Sequence, residues 1–296
     1  MPITNVKIKD LTVFKELELE FSTGLNVFIG ENGTGKTHLL KHLYASQNYA
    51  VTNKSVDEER YFTTSECFVL PVTGDIISTP STATVFIPAK DMLTHSKGFM
   101  SINDMYNMPF DKTYYDIISR ALLPTLKEIS PEAQEILKSI EKIIGGQVIV
   151  ENEVFYLKKT NCKPIEFALE SEGIKKVAII WQLIMTGNIK KGSILFWDEP
   201  EVNINPSIIP DIVSVILDLS KLGVQVFVST HDYIFAKYIE VLAGDTDNVA
   251  FHSFYQTKDN GVKCESGQNF RDLKHNSIIA SFDALFNRVY DLNIGD

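Results

Sequence analysis

An α/β fold built on a mixed sheet is predicted by three stretches of this 296-residue chain. The first is the uncharged run Leu25 to Ile29, which passes through a glycine-rich turn, GENGTGKT, into HLLKHLYA, where Leu39, Leu40 and Leu43 recur at helical spacing. The second is the apolar run Ile194 to Trp197, which ends on Asp198-Glu199, and the third is VQVFVST, which ends at His231. Short apolar runs without a polar face read as central strands of a parallel sheet.

The remaining elements follow along the chain. Ile3 to Phe21 reads as two strands, because Leu17, Leu19 and Phe21 alternate with Glu16, Glu18 and Glu20 as a half-exposed hairpin requires. TVFIPAK reads as a further strand. Residues 91–146 read as a helical insertion, with DKTYYDIISRALLPTLKEI and PEAQEILKSIEKII at helical spacing, Pro124 and Pro131 as punctuation, and Gly145-Gly146 closing the last helix. Residues 245–296 supply two or three strands, NVAFHSFYQ and GVKCES among them, and a last helix, SIIASFDALFNRVYDL. The whole chain, 1–296, is expected to form one domain.

Composition narrows the function classes. With 44% hydrophobic and 22% charged residues, the chain reads as soluble and globular. Its apolar runs fall short of the roughly 18 residues of a membrane span, and the N-terminus alternates charged and apolar residues instead of forming a signal core. Cys67, Cys162 and Cys264 are odd in number and far apart, which argues against a disulfide framework or a structural zinc site. A reducing cytoplasm is the expected compartment. A formal net charge of -10 opposes nonspecific attraction to nucleic acid. The pairs Lys158-Lys159, Lys175-Lys176 and Lys190-Lys191 read as solvated helix and strand ends, and His38 and His42, separated by Leu39 and not by a catalytic Glu, read as surface or packed histidines.

The turn matches GxxxxGK[ST]. Between Gly30 and Lys36 the residues Glu31, Asn32, Gly33, Thr34 and Gly35 let the backbone curl so that several N–H groups face a phosphate at the helix N-terminus. Lys36 is expected to neutralise the β- and γ-phosphates of ATP, and Thr37 to offer its hydroxyl to Mg2+. Asp198 and Glu199 emerge at the strand end where open α/β sheets bind ligands. Asp198 suits the magnesium shell and Glu199 an attacking water. His231, at the end of a neighbouring strand, is placed to reach the γ-phosphate.

Gly30 to Thr37 as Walker A, ILFWDE as Walker B, EPEVNINP as a D-loop and STHD as a switch histidine together resemble an ABC-type ATPase head, and within that group the RecF, SMC, Rad50 and OLD-type branch. The resemblance covers residues 1–50 and about 165–240. It implies a signature motif that contacts the nucleotide of a second subunit, with LESEG as the match: Ser171 and Gly173 would touch the partner's γ-phosphate, and Asn203 lies in the D-loop. An ordinary N-cap of the following helix predicts the same residues. Glu172 stands where the family has a second glycine, and no Q-loop glutamine follows TVFIPAK, where Lys90 and Asp91 occur.

The resemblance further implies an ATP-sandwich homodimer, open to assembly into larger oligomers, that switches a separate effector such as a nuclease or toxin, with antiphage defence as the setting. Nucleic acid would be reached through a partner, and no membrane is involved. A RecF-like repair ATPase, a non-hydrolysing ATP-stapled scaffold and a transporter ATPase subunit are the alternatives. No heptads are sustained in the middle of the chain, so long coiled coils for DNA tethering are not expected, and the C-terminal stretch is expected to be too short for an appended nuclease.

Overall fold

A computed structural model describes residues 2–52, 83–106, 108–244, 247–257 and 261–294; Cys67 lies outside them. Strands β1 (Asn5–Leu11) and β2 (Phe14–Glu20) form the expected antiparallel hairpin, with Ile8 opposite Leu17 and Val6 opposite Leu19 on its buried face. Strand β3 (Leu25–Gly30), buried at all six positions, feeds helix α1 (Lys36–Thr52). Strand β4 (Thr84–Ile87) precedes three helices, α2 (Phe99–Tyr106), α3 (Lys112–Ala121) and α4 (Pro131–Ile144). Ser130 caps α4 and Gly145 ends it in the left-handed conformation, φ 70°.

Gly146 does not close that helix. It opens β5 (Gly146–Glu151), which pairs with β6 (Val154–Lys159) and β7 (Ile165–Glu166) in a small antiparallel sheet that the periodicity of the chain did not announce. Helix α5 (Glu172–Met185), β8 (Ile194–Asp198), α6 (Ile209–Lys221), β9 (Gln225–Thr230), α7 (Tyr233–Leu242), β10 (Val249–Gln256), β11 (Val262–Gly267) and α8 (Ser277–Ile294) complete the fold.

The main sheet runs β11-β10-β3-β9-β8-β4. Five strands are parallel and β11 is antiparallel to β10, so the sheet is mixed as predicted. Alternate strand residues face opposite layers. Leu25, Val27, Leu195, Trp197, Val226 and Val228 pack with the α3–α7 layer. Phe28, Phe196 and Phe227 point the other way, against the hairpin and against Leu39, Leu40, Leu43 and Tyr44 of α1. Phe196 and Phe227 stack at 5.0 Å in that layer. Each such fully buried side chain contributes about 2–3 kcal/mol, so α1 and its N-terminal turn are anchored firmly.

The lysine pair on α5 corrects the sequence reading. Lys175 and Lys176 are buried, not solvated. Lys175 bridges Asp91 at 3.1 Å and Glu172 at 2.6 Å. Lys176 reaches into the loop after β8, described below.

His252 on β10 is fully buried between Phe21 and Phe28 and hydrogen-bonded to Ser266 at 2.8 Å. Burial lowers its pKa to about 4. Its folded value lies below the unfolded value of about 6.5, so between pH 6.5 and 4 the unfolded chain binds the extra proton. Stability from this group is lost as pH falls through that window. From pH 7 to pH 5, urea unfolding is expected to show wild type losing about 2 kcal/mol more than His252→Gln; equal losses would contradict a neutral buried ring.

Candidate functional site

The Walker A turn joins β3 to α1 at the C-terminal edge of the sheet, where β8 and β9 also end. Two of its glycines have steric reasons. A Cβ on Gly30 (φ 143°) would lie 2.4 Å from the Phe254 carbonyl oxygen, and one on Gly35 (φ 86°) would strike the Phe14 ring at 2.8 Å. The Thr34 hydroxyl donates to the Glu31 carbonyl at 2.8 Å, closing the turn. Lys36 is buried and donates to the carbonyls of Gly30 at 2.7 Å and Glu31 at 2.9 Å. Burial lowers its pKa, opposed by the charges of Glu199, Asp198, Glu201 and Glu31.

Thr37 and Asp198 meet across the strands: the hydroxyl donates to the carboxylate at 2.9 and 3.0 Å. Ser229 of β9 donates to the same carboxylate. Burial raises the Asp198 pKa, while the Ser229 and Thr37 hydroxyls oppose the shift. A buried carboxylate beside a threonine hydroxyl at a helix N-terminus is a hard oxygen donor set that suits magnesium.

Glu199 follows with φ 46°, a left-handed backbone that non-glycine residues rarely adopt. Its N–H donates to the Ser229 carbonyl at 3.1 Å and its Oε1 lies 3.1 Å from His231 Nδ1. The strained turn is held from below by Lys176, whose ammonium donates to the carbonyls of Glu199 at 3.0 Å, Pro200 at 3.1 Å and Val202 at 2.7 Å. Burial lowers the Lys176 pKa to about 8. Asn203, also left-handed with φ 61°, is exposed at the far side of this loop.

A cleft of about 270 Å³ is lined by Asn32, Gly33, Gly35, Lys36, Thr37 and Glu199, together with Val13 from the hairpin turn and His38 from α1. His231 opens instead on an adjoining cleft of about 320 Å³ with Gly30, Glu31 and Asn32. Ser171 and Gly173 line neither cleft. Ser171 is the exposed N-cap residue of α5, yet its hydroxyl makes no capping hydrogen bond. Gly173 is buried two residues on, where a Cβ would meet Ile208 at 3.0 Å. Glu172 turns back onto Lys175.

Sequence reasoning gave no role at this site to Val13, Lys176, Ser229 or Glu201. The signal for Ser229 and Glu201 was their place within STHD and DEPE; Lys176 carried none, because its partners come from a loop more than 20 residues away.

A family model described as "AAA domain, putative AbiEii toxin, Type IV TA system" matches residues 87–236, and a second AAA-domain model matches residues 5–82. The chain is similar to the DNA replication and repair protein RecF of Aliivibrio salmonicida, 33% identical over 84 residues, which are 24% of this chain and 23% of that protein. RecF of Oenococcus oeni is 43% identical over 44 residues, 15% of this chain and 12% of that protein. The matches thus span less than a quarter of these curated relatives.

Among solved structures, an SMC head bound to the C-terminal winged-helix domain of ScpA aligns with a TM-score of 0.51 at 14% identity, over 93% of this chain and 100% of that one. A nucleotide-free ATP-binding cassette from an ABC transporter aligns with a TM-score of 0.51 at 15% identity, over 95% and 96%. The family match covers half of the chain, and the likeness to both heads extends over nearly all of it. The chain belongs to this AAA-domain family and has the P-loop fold of ABC, SMC and RecF-like ATPases.

Proposed function

We propose that the chain binds ATP with Mg2+ and hydrolyses it, using the cycle as a switch on a partner. The observation that carries this reading is the Glu199–His231 contact of 3.1 Å beside the Lys36, Thr37 and Asp198 cluster. A carboxylate oriented by a histidine at the strand ends is the arrangement a water-activating base needs.

Lys36 is the group for the β- and γ-phosphates, held by the backbone N–H groups of Gly33, Thr34 and Gly35 and of the first turn of α1. Thr37 and Asp198 would hold Mg2+, which would offset phosphate charge when bound. Glu199 would take the proton of the attacking water, and His231 would keep that carboxylate in place. The buried Asp198 keeps Thr37 and Ser229 in register, so the donor set is formed before ligand arrives.

The exposed Ser171, with a hydroxyl that does not cap its own helix, supports a role in trans. Ser171 and Gly173, at a helix N-terminus that favours an anion, would complete the site of a second copy in an ATP-sandwich dimer, with Asn203 near the contact. Specific activity is therefore expected to rise with protein concentration until the dimer saturates. Turnover per subunit measured across a hundredfold concentration range checks this, and flat activity in a demonstrably monomeric protein would refute composite sites.

The partner would be a separate effector of the nuclease or toxin class, in keeping with the toxin–antitoxin description of the matched family, and antiphage defence is the setting this suits. Larger assemblies and nucleic acid contacted through the partner belong to the same reading, as does action in the cytoplasm. Among the described residues, no helix is long and apolar enough to cross a membrane. A RecF-like role in DNA repair is the second reading, favoured by the stretch shared with RecF.

A further inference from the structure

Glu201 is buried in the loop after β8, with 8% of its surface exposed. Its Oε1 accepts a hydrogen bond from the Thr230 hydroxyl at 2.5 Å and lies 3.4 Å from the His231 backbone nitrogen, which donates to it. The Thr230 oxygen in turn accepts from the Asp232 N–H at 3.0 Å, and Asp232 caps α7 through the Phe235 N–H at 2.6 Å. One carboxyl oxygen thus holds two consecutive residues of the switch segment directly, Thr230 and His231, and a third, Asp232, through the Thr230 hydroxyl. The other oxygen, Oε2, is buried with no hydrogen-bond partner among the described residues.

Burying an acid with one oxygen unpartnered costs about 1–3 kcal/mol relative to a satisfied group, and an apolar side chain would avoid that cost. Burial raises the pKa of this carboxyl to about 7, against the pull of the Thr230 hydroxyl. The loop that carries it cannot easily drift, because Lys176 fixes the carbonyls at 199, 200 and 202 on either side of it. Glu199 and Glu201 therefore move as one block, and each grips the switch segment: Glu199 by the His231 ring and Glu201 by the Thr230 hydroxyl and the His231 backbone.

We infer that Glu201 is a positioning residue for hydrolysis, an internal strut that sets the His231 backbone and through it the Glu199–His231 contact. This rests on the hydrolytic reading of Glu199 and His231 given above. A displacement of about 1 Å at such a contact can cost roughly a hundredfold in rate, so a strut that leaves ATP binding untouched still controls turnover.

The test uses the full chain with Glu201→Ala, Glu201→Gln and Thr230→Val, read in two ways. In steady-state kinetics, Glu201→Ala and Thr230→Val are expected to lower kcat by about ten- to a hundredfold with KM for ATP within about twofold, while Glu201→Gln, which keeps the accepting oxygen, stays near wild type. In NMR of 15N-histidine-labelled protein without nucleotide, the His231 ring signals, assigned by their loss in His231→Asn, should move in the first two variants and not in the third. Unchanged kcat and unchanged His231 signals in Glu201→Ala would overturn the proposal, as would a Glu201→Gln protein as impaired as the alanine variant. If Glu201→Ala does not fold, Thr230→Val decides alone. Should wild type show no turnover, the hydrolytic reading fails by itself, and the NMR comparison still decides whether Glu201 sets His231.

Discussion

Glu199→Gln is expected to reduce ATP turnover by roughly 10²- to 10⁴-fold while ATP binding persists. Glutamine matches the size of glutamate and keeps an oxygen for the 3.1 Å contact with His231, but it cannot take a proton from water. Lys36, Thr37 and Asp198, to which the proposal gives the phosphate and magnesium contacts, are untouched by the change. The left-handed backbone at this position, φ 46°, is held by Lys176 and not by the side chain, so the loop should keep its shape. Phosphate release and equilibrium nucleotide binding, measured on the same preparation, separate the two effects. If the variant forms an ATP-dependent dimer that wild type shows only transiently, arrested hydrolysis is the simplest account. Undiminished turnover would remove Glu199 from the chemistry.

Lys176→Met is expected to destabilise the protein by about 3 kcal/mol and to lower turnover at least as far as loss of the Glu199 geometry does. Methionine fills nearly the same length but donates nothing, so the carbonyls of Glu199, Pro200 and Val202 lose a common charged donor. A buried acceptor left without a donor costs about 1–3 kcal/mol, and water can satisfy only part of this loop because the Pro200 carbonyl contact is buried. Urea unfolding gives the stability, and the ratio of kcat to nucleotide affinity gives the local effect. A variant with wild-type stability would mean that the loop holds its left-handed turn without the lysine.

That Gly30, Lys36 and Thr37 share one turn of the candidate site was readable from local order. Strand, glycine turn and helix are consecutive, so a short window contains Gly30, Lys36 and Thr37 together with the steric reasons for their neighbours. Asp198 and His231 were readable because each ends an apolar run, and parallel strands bring their C-terminal ends to one edge. The β5–β7 sheet escaped because its strands are short and only partly buried, with charged residues such as Lys158 and Glu151 blurring the alternation. Lys175 and Lys176 were misjudged for a different reason. On a helix with apolar neighbours, a lysine pair signals solvent unless one knows that Asp91 and the loop at 199–202 will be delivered to it from elsewhere in the chain.

The strand order has a consequence for how the protein comes into being. Strand β3 has no partner in its own neighbourhood of the chain: its residues Leu25 to Ile29 pair with Val226 to Thr230 on one side and with Val249 to Ser253 on the other. Those partners are made about 200 residues after β3. At a synthesis rate of roughly 5–20 residues per second, an apolar strand and its glycine turn wait about 10–40 s on the ribosome before either edge is covered. The N-terminal hairpin, with Phe14 and Leu17 against the same layer, is available at once to shelter one face of that strand. Nascent chains stalled before residue 225 should therefore expose the β3 edge to chaperones, and the candidate site can assemble only after most of the message has been read.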